Sequence, residues 1–169
     1  LREVVGDGVR CTVDNDANCA ALAEAHHGAA ARAGSALYLT GTVGVGAGIV
    51  VEGRLLRGAA GFAGEVGHLP FGDPGASCAC GRHGCWETGV GLRALLDAVA
   101  MDAVGTPWQC ARAVAECAAD GDDVVIEGID RVGDRLGRGL ASLSAVMDPA
   151  VVVLGGYFVP IAEWLVPAA

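Results

Sequence analysis

The sequence predicts an α/β fold from three local patterns. Residues 151–154 form a continuous run of Val and Leu, which is typical of a strand buried on both faces. Residues 49–56 place short apolar runs on either side of Glu52 and Gly53, which predicts two strands joined by a tight turn. A long apolar stripe at helical spacing predicts an amphipathic helix, and it consists of Val132, Leu136, Leu140, Leu143 and Met147.

The first half of the chain predicts a strand, a helix and a further strand in that order. We expect a short strand over residues 9–13, a turn at residues 14–16 and a helix over residues 17–31. A strand at residues 36–39 follows, and the glycine-rich residues 41–48 link it to the predicted hairpin. Residues 58–91 carry most of the chemically active side chains and are expected to form loops.

The second half is predicted to be mainly helical. Residues 92–99 have one apolar face at helical spacing, and Pro107 can occupy the first turn of the next helix. Gly155 and Gly156 end the strand at residues 151–154, after which another helix begins. The chain has no internal repeat and no low-complexity linker.

The composition excludes several classes of protein. Hydrophobic residues make up 53% of the 169 residues and charged residues 18%, so the chain can bury enough apolar surface to fold. The formal net charge is -9, and the chain contains Arg but no Lys. This charge disfavours a bare nucleic-acid-binding module and binding to an anionic membrane surface, because both need a basic face. No apolar run reaches the roughly 20 residues that a membrane helix needs.

The two ends of the sequence indicate a piece of a longer protein. The chain begins at Leu1 without a Met or a signal-peptide pattern, and it stops inside an apolar, helix-like segment around residues 164–166. We therefore expect a cytoplasmic parent protein whose thiols are reduced.

Three of the seven cysteines cluster at Cys78, Cys80 and Cys85. Three thiolates and the imidazole of His68 complete a tetrahedral zinc shell, which leaves no open position for a reactive water molecule. We predict one structural zinc ion held by these four residues, with His83 as a rival to His68. The other four cysteines are expected to be small buried hydrophobic residues, and they are Cys11, Cys19, Cys110 and Cys117.

Two carboxylates bracket the predicted zinc ligands. Glu65 lies three residues before His68, and Glu87 lies two residues after Cys85. Either residue alone would more often be an ordinary surface carboxylate. A carboxylate fixed beside a metal-bound imidazole, however, suits hydrogen bonding to the hydroxyl groups of a ligand.

Residues 14–18, Asp-Asn-Asp-Ala-Asn, lie at a predicted junction between a strand and a helix. Asn15 or Asp16 could simply cap the helix. Alternatively, an amide and a carboxylate at the carboxyl end of a strand lie where open α/β sheets bind ligands. A carboxylate in that position could accept a proton from an attacking hydroxyl group.

A glycine-rich segment at residues 44–48 lies between two predicted strands. Its backbone N–H groups could cradle a phosphate, or the glycines could only permit a tight turn. It is not a Walker loop, because no Lys follows it.

Together these motifs resemble the ROK family, which joins repressors, open reading frames and sugar kinases. The most specific part is Gly-Glu-Val-Gly-His at residues 64–68, followed by Cys-x-Cys-Gly-x-x-Gly-Cys-x-Glu at residues 78–87. The match runs from Asp14 to about Gly156. The resemblance implies an actin-like, hexokinase-like (ribonuclease H-like) sugar-kinase fold of two α/β lobes around a sugar cleft, here truncated and carrying a zinc-binding loop.

The resemblance also implies roles for individual residues and a division of the chain. The implied sugar contacts are Asn15, Asp16, Glu65, His68 and Glu87. Asp16 matches the catalytic base of the kinases. Their second phosphate loop is matched by Gly44, Gly46 and Gly48. Only a kinase would require ATP and magnesium. Residues 1–33 would end the first lobe and form the linking helix, and residues 34–169 would form the second lobe with its zinc loop at residues 58–91.

Two departures from the kinase pattern favour the regulator branch. The kinases usually have Gly-Thr-Gly-x-Gly-Gly-Gly in the second phosphate loop, and alignment on Gly48 places Val43 where they have Thr. Tyr157 follows two glycines where a third small residue is common. The first phosphate loop, of the type Asp-x-Gly-Gly-Thr, is absent from the 169 residues, so we expect the chain itself not to phosphorylate sugar.

The sequence therefore predicts a sugar-sensing effector domain of a ROK-family transcriptional regulator, which binds a hexose or a derivative. The alternative is a fragment of an ATP-dependent, glucokinase-like sugar kinase, and a zinc-stabilised interaction module with neither role is a third interpretation. The expected partners are a sugar effector and DNA, the latter only through a winged helix-turn-helix segment that this chain lacks. We expect a homodimer in the intact parent and no membrane association.

Overall fold

The computed structural model describes residues 4, 6, 8, 9 and 12–169. One helix is followed by three strands, four helices, a last strand and a last helix, and a 3₁₀ turn at Val66–His68 precedes the loop that carries the cysteines. The helices are α1 (Asp16–His27), α2 (Glu87–Val90), α3 (Leu92–Ala98), α4 (Pro107–Ala119), α5 (Asp123–Met147) and α6 (Ala162–Ala168). The strands are β1 (Ser35–Gly41), β2 (Val45–Val51), β3 (Arg54–Leu55) and β4 (Val151–Gly156).

In the described part of the chain, four strands form one mixed sheet in the order β3-β2-β1-β4. β1 and β2 form an antiparallel hairpin in which Leu37 lies opposite Ile49, and β3 pairs antiparallel with β2. β4 pairs in parallel with the other edge of β1, so that Leu37 also lies opposite Val152. A parallel pair needs a long crossover connection, which here consists mainly of helices α2 to α5.

Side chains alternate between the two faces of the sheet, and helices cover both faces. Leu37 and Leu39 of β1 join a large hydrophobic cluster with residues of α2 to α6. Ala36 and Tyr38 lie on the opposite face, in a smaller cluster that α1 covers through Ala21. This layering is the one expected of an α/β fold.

A glycine in β2 lets α1 lie close to the sheet. A Cβ atom at Gly48 would lie 2.4 Å from Cβ of Ala21 and 2.6 Å from the backbone oxygen of Ala17. Any larger residue at this position would push the helix away. Gly48 therefore fixes the position of the residues at the start of α1, including Asn15 and Asp16.

The 25-residue helix α5 anchors the end of the cysteine loop. Trp86, which follows Cys85, is fully buried, and its Nε1 donates a hydrogen bond to the backbone oxygen of Arg135 at 3.0 Å. The indole packs directly on Gly139, where a Cβ atom would lie 2.2 Å from the ring. The residues on either side of Trp86 are thereby held in place by the core.

Most predicted elements are confirmed with shifted ends, but the first strand is wrong. Thr12 and Val13 have no regular secondary structure, while Arg10 and Cys11 lie outside the described residues. Val13 is 87% exposed, and no described strand lies beside it to pair with it. The helix predicted over residues 17–31 begins at Asp16 and already ends at His27, where Gly28 follows.

The burial predicted for β4 is also wrong. Residues 151–154 are only half-buried, because β4 lies at the edge of the described sheet and has a pairing neighbour on one side alone. The strand itself is present where its Val-rich run predicted it. None of the described helices combines the length and the hydropathy that a membrane span requires.

Candidate metal centre and ligand site

Four predicted metal ligands converge in the fold. The donor atoms of His68, Cys78, Cys80 and Cys85 all lie within 4.8 Å of one another. The Cys78 Sγ lies 3.7 Å from Nδ1 of His68, and the Cys80 Sγ lies 3.6 Å from that of Cys85. A tetrahedral zinc ion with Zn–S bonds of about 2.3 Å separates its sulfur ligands by roughly 3.8 Å. The donor set and its spacing therefore fit a tetrahedral metal ion.

Two glycines turn the backbone so that the three thiols face one another. Gly81 and Gly84 have φ angles of +85° and +73°, which residues with a side chain rarely adopt. The chain folds back between them, and the backbone N–H of Cys78 donates to the oxygen of Arg82 at 2.8 Å. His83 points out of this turn and is exposed, so the converging group contains His68 and not its rival.

The thiols of this cluster have different pKa values. Arg82 donates a hydrogen bond to the Cys80 Sγ at 3.4 Å, which lowers the pKa of Cys80 to about 6. The backbone N–H of Cys80 also lowers the pKa of Cys78, but the hydrogen bond from that thiol to Glu87 and its burial outweigh this effect and raise the pKa to about 12. The guanidinium thus favours the thiolate form of Cys80, which is the form that binds a metal.

Glu87 lies directly against the cluster and also reaches the β1–β2 hairpin. Its Oε1 lies 3.5 Å from Nδ1 of His68 and accepts a hydrogen bond from the Cys78 thiol at 2.8 Å. Its Oε2 faces Gly44, where a Cβ atom would lie 2.7 Å away. The fold therefore brings together a predicted sugar contact, a predicted metal ligand and the predicted phosphate loop.

Two cavities flank the hairpin between β1 and β2. The larger has a volume of about 580 Å³, and its lining includes Val43, Gly44, Cys78, Glu87, Gly91 and Arg93. The smaller has a volume of about 140 Å³, and its lining includes Asn15, Asn18, Gly46, Ala47, Gly64 and Glu65. Of the predicted sugar contacts, Glu87 lines the larger cavity, Asn15 and Glu65 line the smaller one, and Asp16 and His68 line neither.

The two predicted site residues at the start of α1 differ in what their side chains do: one caps the helix and the other is exposed to solvent. The Asn15 side chain caps the helix by accepting the backbone N–H of Asn18 at 3.2 Å. The exposed Asp16 carboxylate accepts the N–H of Ala17 at 2.8 Å, and among the described contacts it meets no other predicted site residue. Asn15 and Glu65 thus line the same small cavity, while Asp16 is open to solvent.

Sequence reasoning assigned no separate role to Asn18 and none to Arg57. Asn18 is 7% exposed and lines the smaller cavity one helical turn after Asn15, a spacing that could have indicated it. Arg57 forms an ion pair with Asp14 at 2.5 Å. These partners are 43 residues apart in the chain, and no local sequence pattern predicts a pair over that separation.

The cysteines outside the cluster differ from the prediction. Cys110 is buried as expected and Cys117 is half-buried, but Cys19 is exposed, and Cys11 lies outside the described residues. Cys19 faces solvent because Ala17 and Ala21 occupy the side of α1 that packs on the sheet. The terminal His26 and His27 of this helix are exposed.

The model of the ROK family matches residues 7–166. The chain belongs to the ROK family. Its relatives include both regulators and kinases, and the fold is the actin-like, hexokinase-like fold of these proteins. The xylose repressor of Caldicellulosiruptor bescii is 33% identical over 154 residues, which cover 85% of this chain and 39% of the repressor.

Solved structures of both kinds are also similar to this ROK chain. A ROK family glucokinase from Streptomyces griseus, in complex with glucose and AMPPNP, has a TM-score of 0.78 and 28% identity over 98% of this chain and 61% of its own. A ROK family transcriptional regulator, a homologue of the E. coli Mlc protein, has a TM-score of 0.83 and 28% identity over 96% of this chain and 43% of its own. The chain spans 36% to 52% of the length of the curated relatives it matches.

Proposed function

We propose that this ROK chain is the sugar-sensing effector domain of a transcriptional regulator and binds a hexose or a close derivative beside a structural zinc ion. The observation that carries this proposal is the contact of Glu87 with both His68 and the hairpin, next to a cavity of about 580 Å³. Carboxylates, an amide and an imidazole accept and donate hydrogen bonds to neutral hydroxyl groups. The carboxylates among these groups repel a free anion.

The zinc proposal rests on the donor set of His68, Cys78, Cys80 and Cys85. A bound zinc ion would stabilise the loop that carries these residues, and four protein ligands leave it no position for a reactive water molecule. Elemental analysis of protein purified without added metal should give about one zinc per chain. Cys80→Ser should lose the metal, whereas Cys19→Ser, another exposed cysteine outside the cluster, should retain it. A folded protein without metal would contradict the proposal.

The sugar proposal assigns direct contacts to Asn15, Asp16, Glu65, His68 and Glu87. Calorimetry of the full-length protein against a panel of neutral hexoses and derivatives should identify a ligand. Asp16→Ala and Glu87→Ala should each weaken the binding free energy of this ligand by about 1.5–3 kcal/mol, because each removes a charge-assisted hydrogen bond. Glu127→Ala, which changes an exposed carboxylate on α5, is the matched control and should bind normally. Normal binding by both site variants would refute the assignment.

The preference for a regulator is supported by Val43. This residue is 81% exposed at the turn of the β1–β2 hairpin and lines the larger cavity beside Gly44. Its side chain has no hydrogen-bond donor for a phosphate, although Thr42 precedes it. In a cytoplasmic regulator, sugar binding would alter contacts with operator DNA made by a segment outside this chain, and we propose that the full-length protein is a homodimer.

The second candidate is an ATP-dependent sugar kinase, and the exposed Asp16 carboxylate favours it. A carboxylate in that position could accept the proton of a sugar hydroxyl group, with ATP and magnesium supplying the phosphoryl group. A coupled ADP-release assay on the full-length protein distinguishes the two candidates. We expect little or no sugar-dependent turnover. A rate of about 10 s⁻¹ or more that Asp16→Asn abolishes would instead establish the kinase.

A further inference from the structure

We propose that the Asp14–Arg57 ion pair is a positioning device for the ligand site, which holds the loop carrying Glu65 against the segment carrying Asn15. The inference rests on the sugar site proposed above. It adds two residues that line neither cavity and that act through their neighbours.

The ion pair joins two segments that are distant in sequence. The Nη2 atom of Arg57 lies 2.5 Å from Oδ2 of Asp14, and the Asp14 side chain is 23% exposed. The guanidinium holds the pKa of Asp14 down at about 2, so the carboxylate is ionised at physiological pH. Both partners are therefore charged under the conditions in which a sugar would bind.

Asp14 supports one wall of the smaller cavity. Its other oxygen, Oδ1, accepts the backbone N–H of Asn15 at 2.8 Å and the side-chain amide of Asn18 at 3.4 Å. Asn15 and Asn18 both line the cavity. A shift of the Asp14 carboxylate would therefore move the backbone at Asn15 and release the side-chain amide of Asn18.

Arg57 supports the opposite wall. Its backbone oxygen accepts the N–H of Ala63 at 3.1 Å, which closes the loop over residues 58–62. Residues 61–65 of this loop line the cavity, with Glu65 at its end. Arg57 thus binds Asp14 through its side chain and closes the loop through its backbone oxygen, so the ion pair connects the loop directly to Asp14.

The pair is the side-chain link between these two walls. Within the described residues, no other side-chain hydrogen bond or ion pair joins residues 14–18 to residues 57–65. Removing it should loosen the two walls without unfolding either one, because α1 still packs on Gly48 and the loop keeps its hydrogen bond with Ala47 of β2. If only about a fifth of the molecules then keep the binding arrangement, the apparent dissociation constant rises about fivefold.

The test is a double-mutant cycle in the full-length protein, with the sugar identified by calorimetry as the probe. Arg57→Gln and Asp14→Asn should each weaken binding about fivefold, and the double variant should weaken it no further, since both changes remove the same link. Arg57→Lys keeps the charge and should retain most of the affinity. The matched control is Arg138→Gln, which breaks an exposed ion pair with Asp134 on α5 and should bind normally.

Two further measurements separate this inference from the proposed function. Arg57→Gln should still unfold in one cooperative transition well above the assay temperature, so that it is fully folded in the binding and exchange measurements. Amide hydrogen exchange of residues 14–18 and 58–65 should be faster in Arg57→Gln, whether or not a sugar is bound. If the wild type binds no sugar, the proposed function fails and exchange alone decides the role of the pair. Unchanged exchange, unchanged affinity or fully additive effects would overturn the inference.

Discussion

Replacing Gly64 with alanine should displace Glu65 and measurably destabilise the protein. Gly64 has a φ angle of +100°, and a Cβ atom there would lie 2.2 Å from the backbone oxygen of Ala47 in β2. A residue with a side chain costs roughly 1–3 kcal/mol at such a φ angle. The clash is with strand backbone and can be relieved only by moving the loop, which breaks the hydrogen bond from the Ala47 N–H to the Gly64 oxygen. That bond contributes about 1 kcal/mol, so the free energy of unfolding should fall by about 2–4 kcal/mol.

Gly53 provides the matched control. It also has a positive φ angle, +71°, in the turn between β2 and β3, but a Cβ atom there would meet nothing within 4 Å. Gly53→Ala should therefore cost only the backbone strain, roughly 1–2 kcal/mol. Denaturant unfolding of metal-loaded protein measures both values, and calorimetry should detect weaker sugar binding only for Gly64→Ala. Equal destabilisation by the two variants would refute the contact between the loop and β2.

Three further predictions concern other parts of the fold. Trp86→Phe removes the hydrogen bond to α5 and part of a buried ring, and it should lower the free energy of unfolding by about 1–3 kcal/mol in a denaturant titration. Thr106→Ala removes the capping box of α4 and should cost about 1 kcal/mol, with sugar affinity unchanged in calorimetry. The folded state lowers the pKa of Asp14 from 3.8 to about 2, so its pairing with Arg57 stabilises the protein above about pH 4 and is lost as the pH falls through 2. Melting temperatures of wild type and Arg57→Gln should therefore converge as the pH approaches 2, and a constant difference would contradict the pairing.

The sequence predicted the elements well wherever a local pattern determines them. Pro107 lies at the first position of α4, and the turn at Glu52 and Gly53 lies between two strands as expected. Burial was predicted less well, because it depends on neighbours that are distant in sequence. The Val-rich run at residues 151–154 has the composition of a central strand but lies at an edge of the described sheet. The strand predicted at residues 9–13 is absent at Val9, Thr12 and Val13, the residues of that segment that the structure describes, and no described strand pairs with them.

The cluster of candidate metal ligands was predictable because its donors are chemically distinctive and mostly close in the chain. The preference for His68 over His83 agrees with the converging group, although the spacing alone left both open. The glycines of the β1–β2 hairpin show a further limit of prediction from sequence. Gly44 faces Glu87, whereas Gly48 is needed for the packing of α1, and the repeated glycine pattern does not distinguish these functions. The assignment of Gly44, Gly46 and Gly48 to phosphate stays a prediction, as does the lobe boundary at residue 33.

Sugar recognition and phosphoryl transfer make separate demands on this site, and the chain meets them unequally. Recognition needs hydrogen-bonding groups in fixed positions, which Glu87 against His68 and Asn15 opposite Glu65 can supply. Transfer also needs donors aimed at the phosphate, because it depends mainly on positioning and charge stabilisation. Val43 supplies no side-chain donor at the exposed turn nearest Glu87. On the function proposed above, such a substitution would reduce turnover while the hydrogen-bonding groups assigned to the sugar are kept.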